Sequence, residues 1–184
     1  ERPYRCRGVA YAQMAQPAVT KAGRHRIYTV TGDRRLIALD ARDGEPCAGF
    51  GTGGEVTLAE HERYGLEEVG SSSPPVVANG VVVVGSSVID FAYAEAPRGV
   101  IAAYDAMTGA PRWTFDPLQG VTGTGAANAW APLAVDAERD LVFVPTGAPS
   151  PDYYGALRLG RNGYATSVVA LRLTTGAVAW AFQL

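Results

Sequence analysis

The sequence predicts an all-β protein built from a repeated unit, and three observations support this fold class. A phrase with an apolar approach, a polar turn, a glycine and a following strand occurs three times along the 184 residues. The segments before each turn are short, rich in Val, Ile and Tyr, and bounded by Gly, Asn and Asp, which is typical of strands and hairpins. The spacing of apolar residues that marks an amphipathic helix is hard to find.

The three copies of the phrase align on their turn glycines. They read "IALDARDGEPCAGF", "AAYDAMTGAPRWTF" and "VALRLTTGAVAWAF", and Gly44, Gly109 and Gly176 fall in register, 65 and 67 residues apart. Upstream lie paired strand-like segments: "RHRIYTVTGDRRLIALD", "NGVVVVGSSVID" with "GVIAAYD", and "RDLVFVPTG" with "ATSVVALR". The repeat is imperfect, because Ala48 replaces the Trp of the other copies and Arg172 replaces the turn Asp in the third.

The turn residues have defined physical roles. An Asp at the end of a strand can accept hydrogen bonds from backbone amides of the turn, while Gly takes the positive φ that closes a tight hairpin. Four residues after the glycine, Trp113 and Trp180 offer a large apolar face that can pack against a neighbouring sheet. We therefore expect each copy to be one sheet packed against the next.

Small sheets that cannot bury both faces alone must stack, and the closed way of stacking them is a β-propeller. The intervals between the copies are slightly longer than the usual blade period, which predicts inserted loops. Three units are too few to close a ring. We therefore predict that residues 1–184 form one domain of about three blades, truncated at both ends, with sheet edges where further blades belong.

Composition narrows the class of partner. The chain has 47% hydrophobic residues and a net charge of -2, from 16 basic and 18 acidic residues, which argues against nucleic acid or an anionic membrane as the partner. The most apolar stretch is interrupted by Asn79, Gly80 and Gly85, which argues against a membrane span there. Cys6 and Cys47 permit one disulfide but do not demand it.

At this point the residues show a resemblance to a known family. The "AxDxxTGxxxWxF" phrase resembles the tryptophan-docking motif of eight-bladed quinoprotein dehydrogenases, which use pyrroloquinoline quinone (PQQ). The segments "CRGVAY", "RRLIALDARDGEPC", "SSPPVVANGVVVVGSSVID", "NAWAPLAVDAERDLVFVPTG" and "YATSVVALRLTTGAVAWAFQ" resemble, in this order, the membrane-bound branch that includes glucose, quinate and shikimate dehydrogenases. Several long segments in the correct order are more specific than any single motif.

The resemblance implies a set of cofactor residues. Trp130 in "NAWAP" matches the tryptophan that stacks on the PQQ plane, and Arg7 in "CRGVAY" matches an arginine that meets a carboxylate or quinone oxygen. Ser72 and Ser87 match hydroxyl positions that bind the PQQ carboxylates, and Asp90 matches a carboxylate ligand of Ca²⁺ or Mg²⁺. The alternatives are a packing tryptophan, a solvated arginine, and serines and an aspartate that cap their own turns.

Departures from the family pattern bear on the metal and the substrate. Ala148 stands where soluble alcohol dehydrogenases carry a metal-binding asparagine, so the ion would need water, a backbone oxygen or Ser150. Ala12 stands where glucose-oxidising members have a histidine, which argues against glucose as the substrate. The catalytic base of the family falls after Leu184, so we expect this piece alone to be inactive.

The function implied by the resemblance is oxidation of a sugar, a polyol or a cyclic hydroxy acid. The electrons would pass to membrane ubiquinone, and the propeller would lie at the periplasmic face of the inner membrane, with membrane contact through regions outside this chain. Two alternatives stay open: a noncatalytic propeller of the same repeats that acts as a protein-binding scaffold, and a sensor that binds PQQ without oxidising a substrate.

One further segment could suggest a phosphate loop. The run "GFGTGG", residues 49–54, is rich in glycine, but neither a following helix nor a Lys-Ser/Thr pair accompanies it. We expect it to be a flexible loop between blades.

Overall fold

The computed structural model describes residues 8–14, 23–58, 69–89 and 91–184. Within these ranges the only helical segment is a single 3₁₀ turn, Gly155–Leu157. The remaining regular structure consists of strands, in chain order β1 (Ala10–Gln13), β2 (His25–Val30), β3 (Arg35–Asp40), β4 (Glu55–Thr57), β5 (Val69–Gly70), β6 (Val76–Ala78), β7 (Val81–Val84), β8 (Ser87–Val88), β9 (Ile101–Asp105), β10 (Pro111–Phe115), β11 (Ala134–Asp136), β12 (Leu141–Thr146), β13 (Ser167–Arg172) and β14 (Val178–Gln183). The prediction of an all-β chain is confirmed.

Twelve of these strands form three four-stranded antiparallel sheets. Blade 1 has the order β1-β2-β3-β4, blade 2 the order β6-β7-β9-β10, and blade 3 the order β11-β12-β13-β14. Strands β5 and β8 form a separate two-stranded ladder in which Gly70 lies opposite Ser87. Three successive sheets of this kind are three propeller blades, as the repeat predicts.

The blades stack face to face, and strand β7 shows how the sequence encodes this. Its residues are all valines and all buried. Since neighbouring side chains point to opposite faces of a strand, both faces of β7 are covered. Val82 and Val84 join the core shared with blade 1, whereas Val81 and Val83 join the core shared with blade 3. Each buried valine stabilises the stack by about 1.5–3 kcal/mol.

The antiparallel meander places the connections alternately at two ends of the blades. The repeated turns 41–54, 106–110 and 173–177 lie at one end, which we call the turn end. The long connections 85–100 and 147–166 and the segments between blades, 70–75 and 116–133, lie at the opposite end, which we call the loop end.

The turn end of blade 3 confirms the role predicted for the repeat. The Nε1 of Trp113 in blade 2 donates a hydrogen bond to the carbonyl of Leu173 at 2.9 Å. The indole packs so closely on Gly176, at φ 74°, that a Cβ there would lie 2.7 Å from the ring. The tryptophan of one blade therefore docks on the turn glycine of the next blade.

The turn aspartates act as expected in the first two copies. Asp105 accepts hydrogen bonds from the backbone amides of Met107 and Thr108, at 2.9 and 2.8 Å. Burial alone would raise the pKa of Asp105, but hydrogen bonds from Arg112 and Thr108 outweigh it and lower that pKa below its usual value. A hydrogen bond from Arg42 likewise holds the pKa of Asp40 well below its usual range.

The third copy lacks the turn Asp and replaces it from another element. The Oδ2 of Asp140, from the β11–β12 hairpin, accepts a hydrogen bond from the hydroxyl of Thr174 at 2.7 Å. Its carbonyl accepts a second bond from the amide of Leu173 at 2.9 Å. A neighbouring hairpin therefore supports the turn around Gly176 that Arg172 cannot support in the same way.

One expectation about the first copy is wrong. Residues 49–54 do not lie between blades; they connect β3 to β4 within blade 1, and Phe50 is fully buried. Ala48 replaces the tryptophan in this copy, and other side chains occupy the docking position: a Cβ on Gly109 would meet the side chains of Val56 and Phe50. The amide of Gly51 donates to the carbonyl of Thr108 at 2.8 Å, so this run holds blade 1 against blade 2.

Two residues at the interface of blades 1 and 2 are buried with their polar groups paired. The guanidinium of Arg26 donates to the carbonyls of Gly23, Ala106 and Met107. The hydroxyl of Tyr28 also donates to the carbonyl of Ala106, and burial raises the pKa of Tyr28 to about 12. These groups satisfy the carbonyls at the start of the second repeated turn.

Cys47 is a buried free cysteine, and burial raises the pKa of its thiol. The other cysteine, Cys6, lies outside the described residues. Within the described ranges, no helix has the length and apolar character needed to cross a lipid bilayer.

Candidate functional site

The loop end holds three of the residues that the sequence predicts for cofactor binding, and two of them, Ser72 and Trp130, are in direct contact. The hydroxyl of Ser72, just before blade 2, donates a hydrogen bond to the backbone carbonyl of Trp130 at 3.0 Å. Ser87 begins β8 opposite Gly70, two residues before Ser72 in the chain. We call these three residues, Ser72, Ser87 and Trp130, the loop-end site.

The side chain of Trp130 is the part of the loop-end site that is most clearly exposed to solvent. The residue is 58% exposed, in contrast to Trp113, which is partly buried in the interface between blades. Trp130 follows the buried Asn128 and Ala129, and its ring edge lies close to Gly147, where a Cβ would be 3.6 Å from Nε1. A large flat side chain is thus presented to solvent from a fixed backbone.

Several groups hold the backbone of Trp130 in place. The side-chain amide of Asn128 donates to the carbonyl of Ser86 at 3.2 Å, and the carbonyl of Asn128 accepts from the amide of Gly147 at 3.0 Å. The hydroxyl of Ser73 contacts the carbonyl of Ala129 at 3.4 Å. The segment before Trp130 is therefore bonded to blades 2 and 3 at once.

Sequence reasoning missed two of these supporting residues, Asn128 and Gly85. A Cβ on Gly85 would lie 2.2 Å from the carbonyl oxygen of Ala129, so only glycine allows this close approach. The signal was present as an isolated glycine directly after the apolar strand "VVVV", a pattern that marks a close approach of backbone.

The structure corrects the suggestion that Ser150 could supply an oxygen to a metal in place of Ala148. The Oγ of Ser150 donates to the carbonyl of Ala94 at 2.9 Å and accepts from the amides of Ala96 and Gly125, at 3.0 and 2.9 Å. The residue is buried, and these three bonds use its hydroxyl within the protein. Ser150 is a link between the two long loops, because it ties 85–100 to 147–166.

Arg7 and Asp90 lie outside the described residues. The neighbours of Asp90 are described: Val88 is buried in the small ladder, and Phe91 has a φ of 63°, which is uncommon for a bulky residue. Among the described residues no group of three or more His, Cys, Asp or Glu side chains forms a metal cluster. Ala12, at the position that bears on glucose, lies on β1 opposite Arg26.

The blade architecture and the loop-end site define this chain as part of a tryptophan-docking β-propeller whose loop end presents an exposed indole beside hydroxyl groups. Residues 1–184 match the model of the family described as "PQQ: Glucose/ethanol/alcohol dehydrogenase, beta-propeller domain". The chain belongs to this family.

Similar proteins include two curated dehydrogenases and one solved structure. The chain is 41% identical to the glycerol dehydrogenase large subunit of Gluconobacter oxydans (strain 621H) and 37% identical to the quinate/shikimate dehydrogenase (quinone) of Acinetobacter baylyi. Each alignment covers 97% of this chain and 26% of the relative, so the chain spans about a quarter of their length. The quinohemoprotein alcohol dehydrogenase from Comamonas testosteroni aligns with a TM-score of 0.66 and 28% identity, over 86% of this chain and 26% of that one.

Proposed function

We propose that this chain forms part of the cofactor site of a PQQ-dependent dehydrogenase that oxidises an alcohol group of a sugar, a polyol or a cyclic hydroxy acid. The observation that carries the proposal is the exposed indole of Trp130, fixed by backbone bonds beside the hydroxyl of Ser72 at the loop end. Membership of the PQQ family and the named activities of the relatives support it.

The described residues fit PQQ, a planar tricyclic quinone with three carboxylates. An indole that is 58% exposed offers a flat apolar surface for stacking, and its backbone is already immobilised. Ser87 offers a hydroxyl donor on the same part of the loop end. The hydroxyl of Ser72 is bonded to the carbonyl of Trp130, so it would bind a carboxylate only by turning away from that carbonyl.

The remaining proposed contacts use residues outside the described ranges. The guanidinium of Arg7 would pair with a carboxylate or quinone oxygen, and the carboxylate of Asp90 would bind Ca²⁺ or Mg²⁺. When bound, PQQ supplies the acceptor for the hydride that leaves the alcohol carbon. The catalytic base would come from a part of the protein outside residues 1–184, where it would remove the hydroxyl proton.

The wider physiology is also part of the proposal. The electrons would leave through ubiquinone, and the propeller would lie at the periplasmic face of the inner membrane, with membrane contact outside this chain. Among the relatives, one protein is named a quinate/shikimate dehydrogenase (quinone), which supports a quinone as the acceptor.

The test is a titration of the full-length protein with PQQ in the presence of Ca²⁺ or Mg²⁺, followed by quenching of tryptophan fluorescence. We expect saturable, cation-dependent quenching, and a loss of PQQ affinity of about tenfold in Trp130→Ala, which corresponds to about 1.4 kcal/mol of stacking. Asp90→Asn should lower the affinity for the cation, so that a higher cation concentration is needed for quenching. Absence of quenching in the folded wild-type protein would refute the proposal and favour the protein-binding scaffold.

A further inference from the structure

A small cavity lies between blades 1 and 2 and contains a buried arginine. It has a volume of about 120 Å³, and it is lined on one side by Arg34 and Leu58 of blade 1 and on the other side by residues of β7, β9 and β10 of blade 2. We call it the Arg34 cavity. Its polar lining residues are Arg34, Ser71, Ser86, Tyr104 and Thr114. None of the three residues of the loop-end site is among its described lining residues.

Arg34 is a charged residue held inside the protein by its backbone. The residue is only 8% exposed, its amide donates to the carbonyl of Thr31 at 3.0 Å, and its carbonyl accepts from the amide of Leu58 at 2.8 Å. Its φ of 65° is a conformation that glycine adopts more easily. Buried charges in proteins are paired or bind ligands, so the guanidinium rather than the backbone explains an arginine at this position.

Ser86 supplies the observation that points to a bound molecule. The residue is 5% exposed, and its backbone carbonyl accepts a hydrogen bond from the side-chain amide of Asn128 at 3.2 Å. Within the part of the chain that the structure describes, its hydroxyl oxygen has no hydrogen-bond partner. Buried hydroxyls in native proteins are nearly always hydrogen-bonded. Because Ser86 lines the Arg34 cavity, a molecule bound in the cavity would provide the missing partner.

We propose that the Arg34 cavity binds a small oxyanion, such as inorganic phosphate. A guanidinium has five N–H donors in a planar fork that matches an oxyanion, so Arg34 can bind one whatever other contacts it makes. The hydroxyls of Ser71 and Ser86 are further donors. The described lining carries one positive charge and no carboxylate, so its charge and its donors both favour an anion over a cation.

The size and position of the Arg34 cavity agree with such a ligand. A volume of about 120 Å³ exceeds the ~10–15 Å³ that one water needs but lies well below the ~300 Å³ of drug-sized sites. Thr114 in the lining is exposed, which gives the cavity a route to solvent. A bound anion would bridge the hairpin of Arg34 in blade 1 to Ser86 at the end of β7 in blade 2, and it would therefore join the two blades.

This site is separate from the proposed PQQ site, and the inference does not rest on the proposed function. Ser71 and Ser86 directly precede Ser72 and Ser87 in the chain, but only the first two line the Arg34 cavity. The two sites therefore use different hydroxyls of the same two segments. Phosphate and PQQ should bind to the protein at the same time.

The experiment is a calorimetric titration of the full-length protein, without PQQ, with inorganic phosphate at constant ionic strength. We expect saturable binding, and chloride should bind at least about tenfold more weakly because a single spherical ion cannot accept both prongs of the fork. Arg34→Gly removes the guanidinium and places glycine at a φ that suits it, so this variant should fold and raise the Kd for phosphate about tenfold or more. Ser86→Ala should raise that Kd about fivefold.

Arg139→Gln is the matched control for charge. It removes a positive charge from blade 3, where the side chain of Arg139 is 72% exposed, and it should leave the Kd for phosphate unchanged. An unchanged Kd in both Arg34→Gly and Ser86→Ala would overturn the inference. Chloride binding as tight as phosphate binding, or an equal loss of affinity in Arg139→Gln, would also overturn it.

A second titration, with PQQ present at saturation, separates this inference from the proposed function. Phosphate should still bind. Displacement of phosphate by PQQ would assign the Arg34 cavity to the cofactor site and overturn the inference. If PQQ does not quench the tryptophan fluorescence while phosphate binds and the Arg34 and Ser86 variants lose affinity as expected, the oxyanion site stands and the PQQ proposal fails.

Discussion

The turn end and the loop end of the blades use the same strands in opposite ways. At the turn end several of the repeated residues pack between blades: Gly109 and Gly176 contact the preceding blade, and the indole N–H of Trp113 donates to a turn carbonyl. At the loop end the residues do not recur, and Trp130 and Phe91 present their rings to solvent. Among these residues, repetition therefore marks what holds the blades together, and we propose that departure from repetition marks what can bind.

A comparison within the turn end shows that the repeat specifies a contact rather than a residue. Blade 2 docks on blade 3 through Trp113, whereas blade 1 docks on blade 2 through Phe50 and the amide of Gly51. Both arrangements place an aromatic ring and an N–H donor against the turn of the next blade. The glycine-rich run of blade 1 thus replaces the tryptophan.

The largest expected effect breaks a docking glycine. In the full-length protein, Gly176→Ala should lower the free energy of unfolding by about 3 kcal/mol, because the new Cβ takes a positive φ and also overlaps the indole of Trp113. Gly44→Ala is the matched control: its φ is 77°, but nothing lies within 4 Å, so about 1 kcal/mol is expected. Denaturant unfolding measures both, and equal losses would show that docking contributes nothing.

At the loop end, the largest effect on stability should come from Ser150. Ser150→Ala leaves the amides of Ala96 and Gly125 without their buried acceptor, which should cost about 2 kcal/mol. Relative to the wild type, the substitution should accelerate hydrogen exchange in 85–100 and 147–166 more than in the strands of blade 1. Uniform acceleration in all three blades would contradict a local link between the two loops.

Removal of the single indole hydrogen bond should have a smaller effect. Trp113→Phe keeps an aromatic ring on Gly176 but loses the bond to the carbonyl of Leu173, with an expected cost of about 1 kcal/mol. Thermal unfolding detects the change, and the affinity for PQQ should stay at the wild-type value. A change in PQQ affinity would show that the two ends are not independent.

The smallest effect is a dependence of stability on pH at the turn end. Since the pKa of Asp105 is lower in the folded protein, its ionised form contributes stability above the ordinary Asp pKa of about 4, and this contribution is lost as the pH falls through the folded value. Asp105→Asn should therefore reduce the loss of stability between about pH 5 and pH 2. An unchanged acid profile in this variant would assign the effect to other carboxylates such as Asp40.

The sequence predicted the turn end well because its chemistry is local. Strands, turn glycines and the Asp105 turn follow from short-range patterns that recur, and Trp113 docks as the repeat implies. The substitute in blade 1 was missed because Phe50 falls six residues after Gly44, out of register with the tryptophans four residues after the other glycines. The fold there depends on the glycine-rich segment 49–54, which does not recur in the other two copies.

The loop end was predicted only through resemblance. Trp130 and Ser72 were named from matched segments, and their direct hydrogen bond is consistent with one site. Ser150 was suggested as one of three alternative oxygen donors to the ion because its three hydrogen-bond partners come from positions 25 to 56 residues away, which periodicity cannot reveal. The contact between Phe91 and Tyr153 was also missed, since these residues lie in different loops that meet only in the folded chain.

The central claim, that the turn end holds the blades and the loop end holds PQQ, is tested most directly by measuring PQQ affinity and unfolding free energy together in two tryptophan variants of the full-length protein. The account predicts that Trp130→Ala loses about tenfold in PQQ affinity with a change in unfolding free energy within about 0.5 kcal/mol. It predicts that Trp113→Phe loses about 1 kcal/mol of stability and no PQQ affinity. If Trp130→Ala bound PQQ as tightly as the wild type, or if both variants changed both quantities alike, the claim would be wrong.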